Sequence, residues 1–328
     1  MSKQRNLNMK KFPALAAALA AILSAGCMLT FAQTGSEVQH RTASANGIKL
    51  HYVVSGESEP VVLVSGWPES WYAWRRVIPE LVKNGRRVFV IDPRGFGDSD
   101  MPQTGYDPET MANDLHAFIT ALDLAKNGGV DIVAHDVGTW ISFHHATRFP
   151  QDVRRLVLTE ASIPGVSTLP GGATDDATNL RTWHFAFNRL DDLPEILVQG
   201  HEREYLTWFF NHKTLKKDAF DQAAIDEYVR LFSRPGAAKA SFDYYQVAFS
   251  ASGVEQAKES AARRLTMPVF ALGGEGGVGS ALLKTLQPLG DHVSGGVLKG
   301  HGHYLPEECP EELTRAILDF WNSHPTVK

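Results

Sequence analysis

Short apolar runs alternate along the chain with longer segments in which apolar residues recur at helical spacing. Residues 48–55 alternate apolar and polar positions directly after an Asn46-Gly47 turn, the pattern of a half-buried strand. The runs at 61–64, 87–91, 131–134 and 155–158 are rich in Val, Ile and Leu and nearly continuous, predicting strands buried on both faces. Between them, 71–82, 108–124 and 140–149 have the spacing of helices. Strands of this kind separated by helices predict an α/β fold with a mostly parallel central sheet flanked by helices. Functional residues in such sheets collect beyond the carboxyl ends of the strands.

The pattern changes after Glu160. From 164 to 264 the chain is aromatic and helical in period, with no clear strand, and Pro164, Pro170, Gly171 and Gly172 mark the entry. A strand at 268–272, a Gly-rich loop, a strand near 293–298 and a helix over 310–321 then follow. The expected organisation is a core of 33–163 and 265–328 interrupted by a helical cap at 164–264, one domain with a lid rather than two domains.

Residues 1–32 have a different character. Lys3, Arg5, Lys10 and Lys11 precede an apolar run over 12–31, broken only by Pro13, Ser24, Gly26 and Thr30, and no acid is present. This predicts a signal peptide at 1–32, export to the periplasm or medium, and a mature chain starting at Gln33 after Thr30-Phe31-Ala32. A retained membrane anchor and lipoprotein processing at Cys27 are the alternatives. Losing four positive charges and no negative one takes the formal charge from −5 to −9. That balance argues against a nucleic-acid partner. With Cys27 gone only Cys309 remains, so no disulfide framework or cysteine metal site is expected.

The most informative segment is 131–138, D-I-V-A-H-D-V-G. A strand enters small-x-Asp-x-small and then a helix, the frame of a nucleophile elbow with Asp136 where lipases and esterases carry Ser. Small flanking residues are needed because the turn is tight, and the following helix N-terminus favours a negative charge. An Asp that merely caps the helix would look the same locally. Two other segments follow strands at the same edge: S-G-W-P at 65–68 and G-H-G-H-Y at 300–304.

Taken together, G-W-P-E-S-W-Y-A-W-R, D-P-R-G-F-G-D-S-D, A-H-D-V-G and G-H-G-H-Y-L-P-E-E resemble the epoxide hydrolases of the α/β-hydrolase fold. L-T-E-A-S-I-P-G, T-W-H-F-A-F-N-R and S-F-D-Y-Y-Q resemble, within them, the secreted bacterial group typified by the Cif virulence factor. The resemblance spans the mature chain. It implies Asp136 as nucleophile, His303 rather than His301 as base, and Glu160 as the acid orienting the base, because Gly277 stands where many relatives carry that acid and Glu275 matches a noncatalytic position. It further implies His184 and Tyr245 as the pair that stabilises the opening epoxide oxygen, with Tyr244 and Tyr205 read as packing. The backbone amides of Trp67 and Val137 are the implied oxyanion donors. Water and a small-molecule epoxide are the implied reactants, with no metal or organic cofactor.

Trp140, Phe185 and Phe187 are candidates for the substrate-pocket wall, and a homodimer is the default expectation for assembly. One departure bears on the site: Ser65 stands where the family usually has His in H-G-x-P. A haloalkane or haloacid dehalogenase shares the Asp-His-acid chemistry, but Val137 follows the nucleophile where those groups place a halide-binding Trp or a carboxylate-binding Arg. From a different class, a secreted host-directed binding protein with a vestigial site is the remaining alternative.

Overall fold

The first strands, β1 (Gln39–Ala45) and β2 (Ile48–Ser55), form a hairpin across Asn46 and Gly47, both at positive φ as a two-residue turn of this type requires. Then come β3 (Glu59–Val64), α1 (Ile78–Lys83), β4 (Arg86–Ile91), α2 (Pro108–Ala121), β5 (Val130–His135), α3 (Val137–Arg148) and β6 (Val153–Thr159). After an insertion the chain returns through β7 (Leu265–Gly274), α10 (Ala281–Leu286), β8 (Gly290–Leu298), α11 (Leu305–Glu308) and α12 (Pro310–Ser323). The insertion holds α4 (Asp176–Phe187), α5 (Leu193–Val198), α6 (Glu202–Lys213), α7 (Gln222–Phe232), α8 (Ala237–Ala248) and α9 (Ala251–Ala261), and no strand among the described residues.

This computed structural model describes residues 38–168 and 175–325, all within the single unit Ser36–Lys328. The predicted leader, its cleavage point and Cys27 lie outside the described residues. Among those described, no helix is long and apolar enough to cross a membrane.

The eight strands form one sheet in the order β1-β2-β4-β3-β5-β6-β7-β8, with β1 and β2 antiparallel additions to six parallel strands. The chain runs outward from β3 to β4 and then returns to lay β5 on the other side of β3. This reversal opens a crevice at the carboxyl ends of β3 and β5. Val62, Val64, Ile132 and Ala134 face one core layer, while Val61, Leu63 and Val133 face the other, packed against Leu313, Ile317 and Trp321 of α12. All six residues of β5 are buried. At roughly 1.5–3 kcal/mol per fully buried aliphatic side chain, such a strand is a rigid mount for the residue that follows it.

Several expected bounds shift. The helical stretch over 71–82 divides into a 3-10 turn, Trp71–Trp74, and α1. The Gly-rich loop after β7 contains α10, and β8 starts at Gly290 rather than near 293. Cap helices are fixed by ordinary signals: Asp175, Asp221 and Ser250 accept hydrogen bonds from the amides of Thr178, Ala224 and Gly253 at the starts of α4, α7 and α9.

Candidate active site

Asp136 follows β5 directly and has φ 50° and ψ −120°, a conformation rarely held by a residue with a side chain. Its surroundings explain how it is tolerated. A Cβ on Gly66 would lie 2.5 Å from Asp136 Cβ, and one on Gly138 would collide with the carbonyl oxygen of Val64. The turn is thus closed by the absence of side chains on both sides. Glu160, immediately after β6, also has positive φ, at 51°.

His303 stands between these two carboxylates. Its Nδ1 is 2.9 Å from Glu160 Oε2 and its Nε2 is 3.4 Å from Asp136 Oδ2. The other Asp136 oxygen, Oδ1, accepts the Trp67 amide at 2.8 Å. Val137 is the first residue of α3, where an amide has no carbonyl partner within its own helix. The loop carrying His303 is held on both sides: Glu308 accepts the amides of Gly302 and Tyr304, and the His303 carbonyl lies 2.9 Å from His135 Nε2. Ser65 is buried with its hydroxyl unpaired among the described residues, yet the Trp67 amide keeps its aim.

Charges in this cluster shift in opposite directions. Burial would lower the His303 pKa, but hydrogen bonds to Asp136 and Glu160 and their charges outweigh it and raise it from 6.5 to about 9. Burial pushes Asp136 up, but His303, His135 and the Trp67 amide prevail and hold it below the ordinary carboxylate range. For Glu160 burial wins, leaving it above that range despite His303 and the amides of Gly274 and Val278.

The raised pKa of His303 has a stability consequence. The folded state binds its proton more tightly than the unfolded chain, so this contribution is complete below about pH 6.5 and is lost as pH rises through about 9. Thermal unfolding followed from pH 6 to 10 should lose stability over that window. The His303→Gln variant should lack this part of the decline; an identical profile in both would contradict the assignment.

Gly277 explains where Glu160 fits. A Cβ there would collide with the Glu160 carboxylate, so the missing side chain is the space that carboxylate occupies. Gly277→Ala should therefore displace Glu160 and lower kcat by at least about tenfold, up to the roughly 10⁴-fold cost of losing an orienting carboxylate in Ser-His-Asp enzymes. Steady-state kinetics on the folded variant check this, and an unchanged kcat would contradict it.

A cavity of about 260 Å³ is lined by Asp136, Glu160, His303, His184, Trp140 and Phe185. Tyr245 of α8 is fully buried and is not among the residues lining it; its ring lies 5.9 Å from that of the lining His184 and 5.4 Å from those of Trp67 and Trp140. Burial first, then Asp136, drives the Tyr245 pKa well above 10, so the phenol keeps its proton. Phe187 does not belong to this wall: it packs on Trp183, Tyr205 and Phe242. Two residues along a helix turn a side chain by about 200°, so Phe185 and Phe187 cannot share a face. A larger groove of about 630 Å³ between α4 and α6 contains none of the candidate catalytic residues.

The rival side chains are engaged elsewhere. His301 Nε2 is 3.1 Å from Glu312, Glu275 accepts the amide of Gly300, and the Tyr244 hydroxyl donates to the Arg94 carbonyl. Lys213 and Arg181 also line the cavity and were not expected there. Lys213 ends α6, where a Lys reads as an ordinary C-terminal helix cation, so the sequence carried no signal for it. No group of three or more metal-ligating side chains suited to an ion occurs among the described residues.

Residues 59–270 match the family model described as alpha/beta hydrolase fold. The chain is also 33% identical over 292 residues to the soluble epoxide hydrolase of Corynebacterium sp. (strain C12), covering 87% of this chain and 98% of that protein. The chain belongs to the α/β-hydrolase family, among its epoxide hydrolases. Solved structures agree with the placement. Cfl2 from Burkholderia cenocepacia superposes with a TM-score of 0.82 at 38% identity, over 88% of this hydrolase and 97% of Cfl2. The Cif epoxide hydrolase from Acinetobacter nosocomialis gives a TM-score of 0.78 at 25% identity, over 86% and 88% of the two chains.

Proposed function

We propose that this enzyme opens an epoxide to a vicinal diol through a covalent ester on Asp136. The observation that carries this reading is the division of labour at one carboxylate: Oδ1 rests on the Trp67 amide while Oδ2 faces His303. Oδ2 is the oxygen placed to attack a saturated carbon. As the new C–O bond forms, the epoxide C–O bond breaks and its electron pair stays on the departing oxygen. His184 and Tyr245 hydrogen-bond that oxygen more strongly as charge develops, and the Tyr245 phenol supplies the proton, regained from solvent.

Ester formation removes the charge of Asp136, one of the two that hold His303 near 9. The imidazole then falls toward its ordinary value and can act as a base. Oriented by Glu160, His303 takes a proton from water as the water attacks the Asp136 carboxyl carbon. Oδ1 becomes the oxyanion on the amides of Trp67 and Val137; on collapse the Cγ–Oδ2 bond breaks, His303 returns its proton to Oδ2, and the diol leaves with that oxygen. An Asp nucleophile suits this sequence because its product with an epoxide is a hydrolysable ester, whereas an ester substrate would give an anhydride.

The names of the relatives support an epoxide over a halide as substrate, and so do Val137 and Phe185, which offer no donor for halide or carboxylate. A panel of terminal and internal epoxides beside chloro- and bromo-alkanes and haloacetates tests the choice. Diol formation without halide release is expected; halide release with no diol from any epoxide would establish the dehalogenase instead. We further infer export by the 1–32 leader. A secreted or periplasmic chain beginning at Gln33 is expected, and a cytosolic chain retaining its leader would overturn this.

A further inference from the structure

The cap histidine has a neighbour that the ring-opening scheme leaves unused. Lys213 Nζ lies 3.2 Å from His184 Nδ1 and also donates to the carbonyl of Arg181. It sits over the Phe209 ring at 5.1 Å, and no carboxylate pairs with it among the described residues. The backbone of the same residue reaches the base: its carbonyl accepts the His303 amide at 2.9 Å. One residue therefore ties the loop of the general base to the histidine of the cap.

Taking an ammonium out of water without a carboxylate partner is costly, and a solvent-facing Lys would complement the end of α6 equally well. Burial lowers Lys213 to about 7, while Asp136 and Glu160 favour its charged form. The inward turn therefore calls for a function. An ammonium has hydrogens to give and no lone pair, so the nitrogen facing it must be the acceptor. His184 Nδ1 is then the lone-pair nitrogen and Nε2 carries the hydrogen. Burial first, then Lys213, holds His184 well below its ordinary pKa, so the ring stays neutral.

Building on the epoxide hydrolase reading, we propose that Lys213 is a positioning residue for ring opening, which fixes His184 as the neutral Nε2–H tautomer and polarises that N–H toward the departing oxygen. Lys213 transfers no proton in this step. The electron pair of the broken C–O bond remains on the oxygen, His184 Nε2–H hydrogen-bonds it, and Tyr245 completes the hydroxyl. A neutral imidazole acting as a hydrogen-bond donor is a known solution where an imidazolium would be too acidic or would form an ion pair with the nucleophile.

Two readouts test this. Nitrogen NMR of histidine-labelled wild-type protein at about pH 6, below the Lys213 value, should show His184 with protonated Nε2 and lone-pair Nδ1. Protonated Nδ1, or a ring charged at both nitrogens, overturns the proposal. In single-turnover kinetics, Lys213→Met, which keeps the apolar stem, should slow ester formation about tenfold or more and leave ester hydrolysis within about threefold. Lys213→Gln, which keeps a donor, should recover the tautomer and part of the rate, and it stands in should the Met variant not fold. Equal slowing of both half-reactions, or of neither, overturns the proposal. If no epoxide gives an ester at all, the epoxide reading fails, and the tautomer signal still decides what Lys213 does to His184.

Discussion

Replacing His303 with Gln should arrest the enzyme at its ester. Nε2 lies 3.4 Å from Asp136 Oδ2, and Gln has no basic nitrogen to take its place. Loss of a positioned general base costs about 10²–10⁴-fold, and here the whole cost falls on the hydrolytic half of the reaction. Ester formation takes no proton transfer from His303: it uses the ionised Asp136 and the cap donors His184 and Tyr245. His303 helps to keep Asp136 ionised, so the variant should be assayed on the alkaline side of neutrality, which offsets that loss. Intact-protein mass spectrometry should then show one equivalent of added substrate mass, persisting while diol release is almost absent. Normal turnover in this variant, or no adduct with any epoxide that wild type converts, would contradict the role of His303.

Asp136→Ala should have the larger effect, abolishing both adduct and diol down to the uncatalysed background. Ala offers no nucleophile, and the amides of Trp67 and Val137 have no oxyanion left to stabilise. The same change should alter His303 in a way that a merely misfolded variant would not. Asp136 is one of the two carboxylates that lift the imidazole to about 9, so removing it should bring the His303 titration down toward 6.5. Charge at Asp136 is also lost in the ester, so this inert variant mimics the electrostatics of the intermediate. Histidine NMR titration of wild type and variant checks the shift; a His303 still titrating near 9 would mean that its proton is held by Glu160 alone.

The positions of Asp136 and Glu160 were legible because each directly follows a strand that the apolar pattern marks clearly, whereas His303 lies in the loop beyond β8, a largely unburied strand, and was reached through the family resemblance. Asp136 was further marked by its small neighbours, which the closed turn demands. The share of Gly277 in the site was legible only as an absence, an acid missing from its usual place; that the absence accommodates another carboxylate requires coordinates. β1 escaped because only Ala43 and Ala45 of its seven residues are buried, so it has no apolar alternation to read. Its sole signal was the Asn46-Gly47 turn, which predicts a hairpin partner for β2. Phe187 was misjudged because aromatic content was read without helical phase, and Lys213 because a terminal helix Lys gives no hint of which way its side chain folds. Long-range placement within the cap is the part that local pattern carries least.

The most direct measurement of the covalent mechanism is a single turnover in water enriched in ¹⁸O with enzyme in excess over substrate. Water attacks the Asp136 carboxyl carbon and Oδ2 leaves with the diol, so the first diol should be unlabelled and a peptide containing Asp136 should gain one heavy oxygen. Label should enter the diol only on later turnovers. Heavy oxygen in the first diol, with Asp136 unlabelled, would mean that water attacks the epoxide directly, and the ester on Asp136 would have to be abandoned.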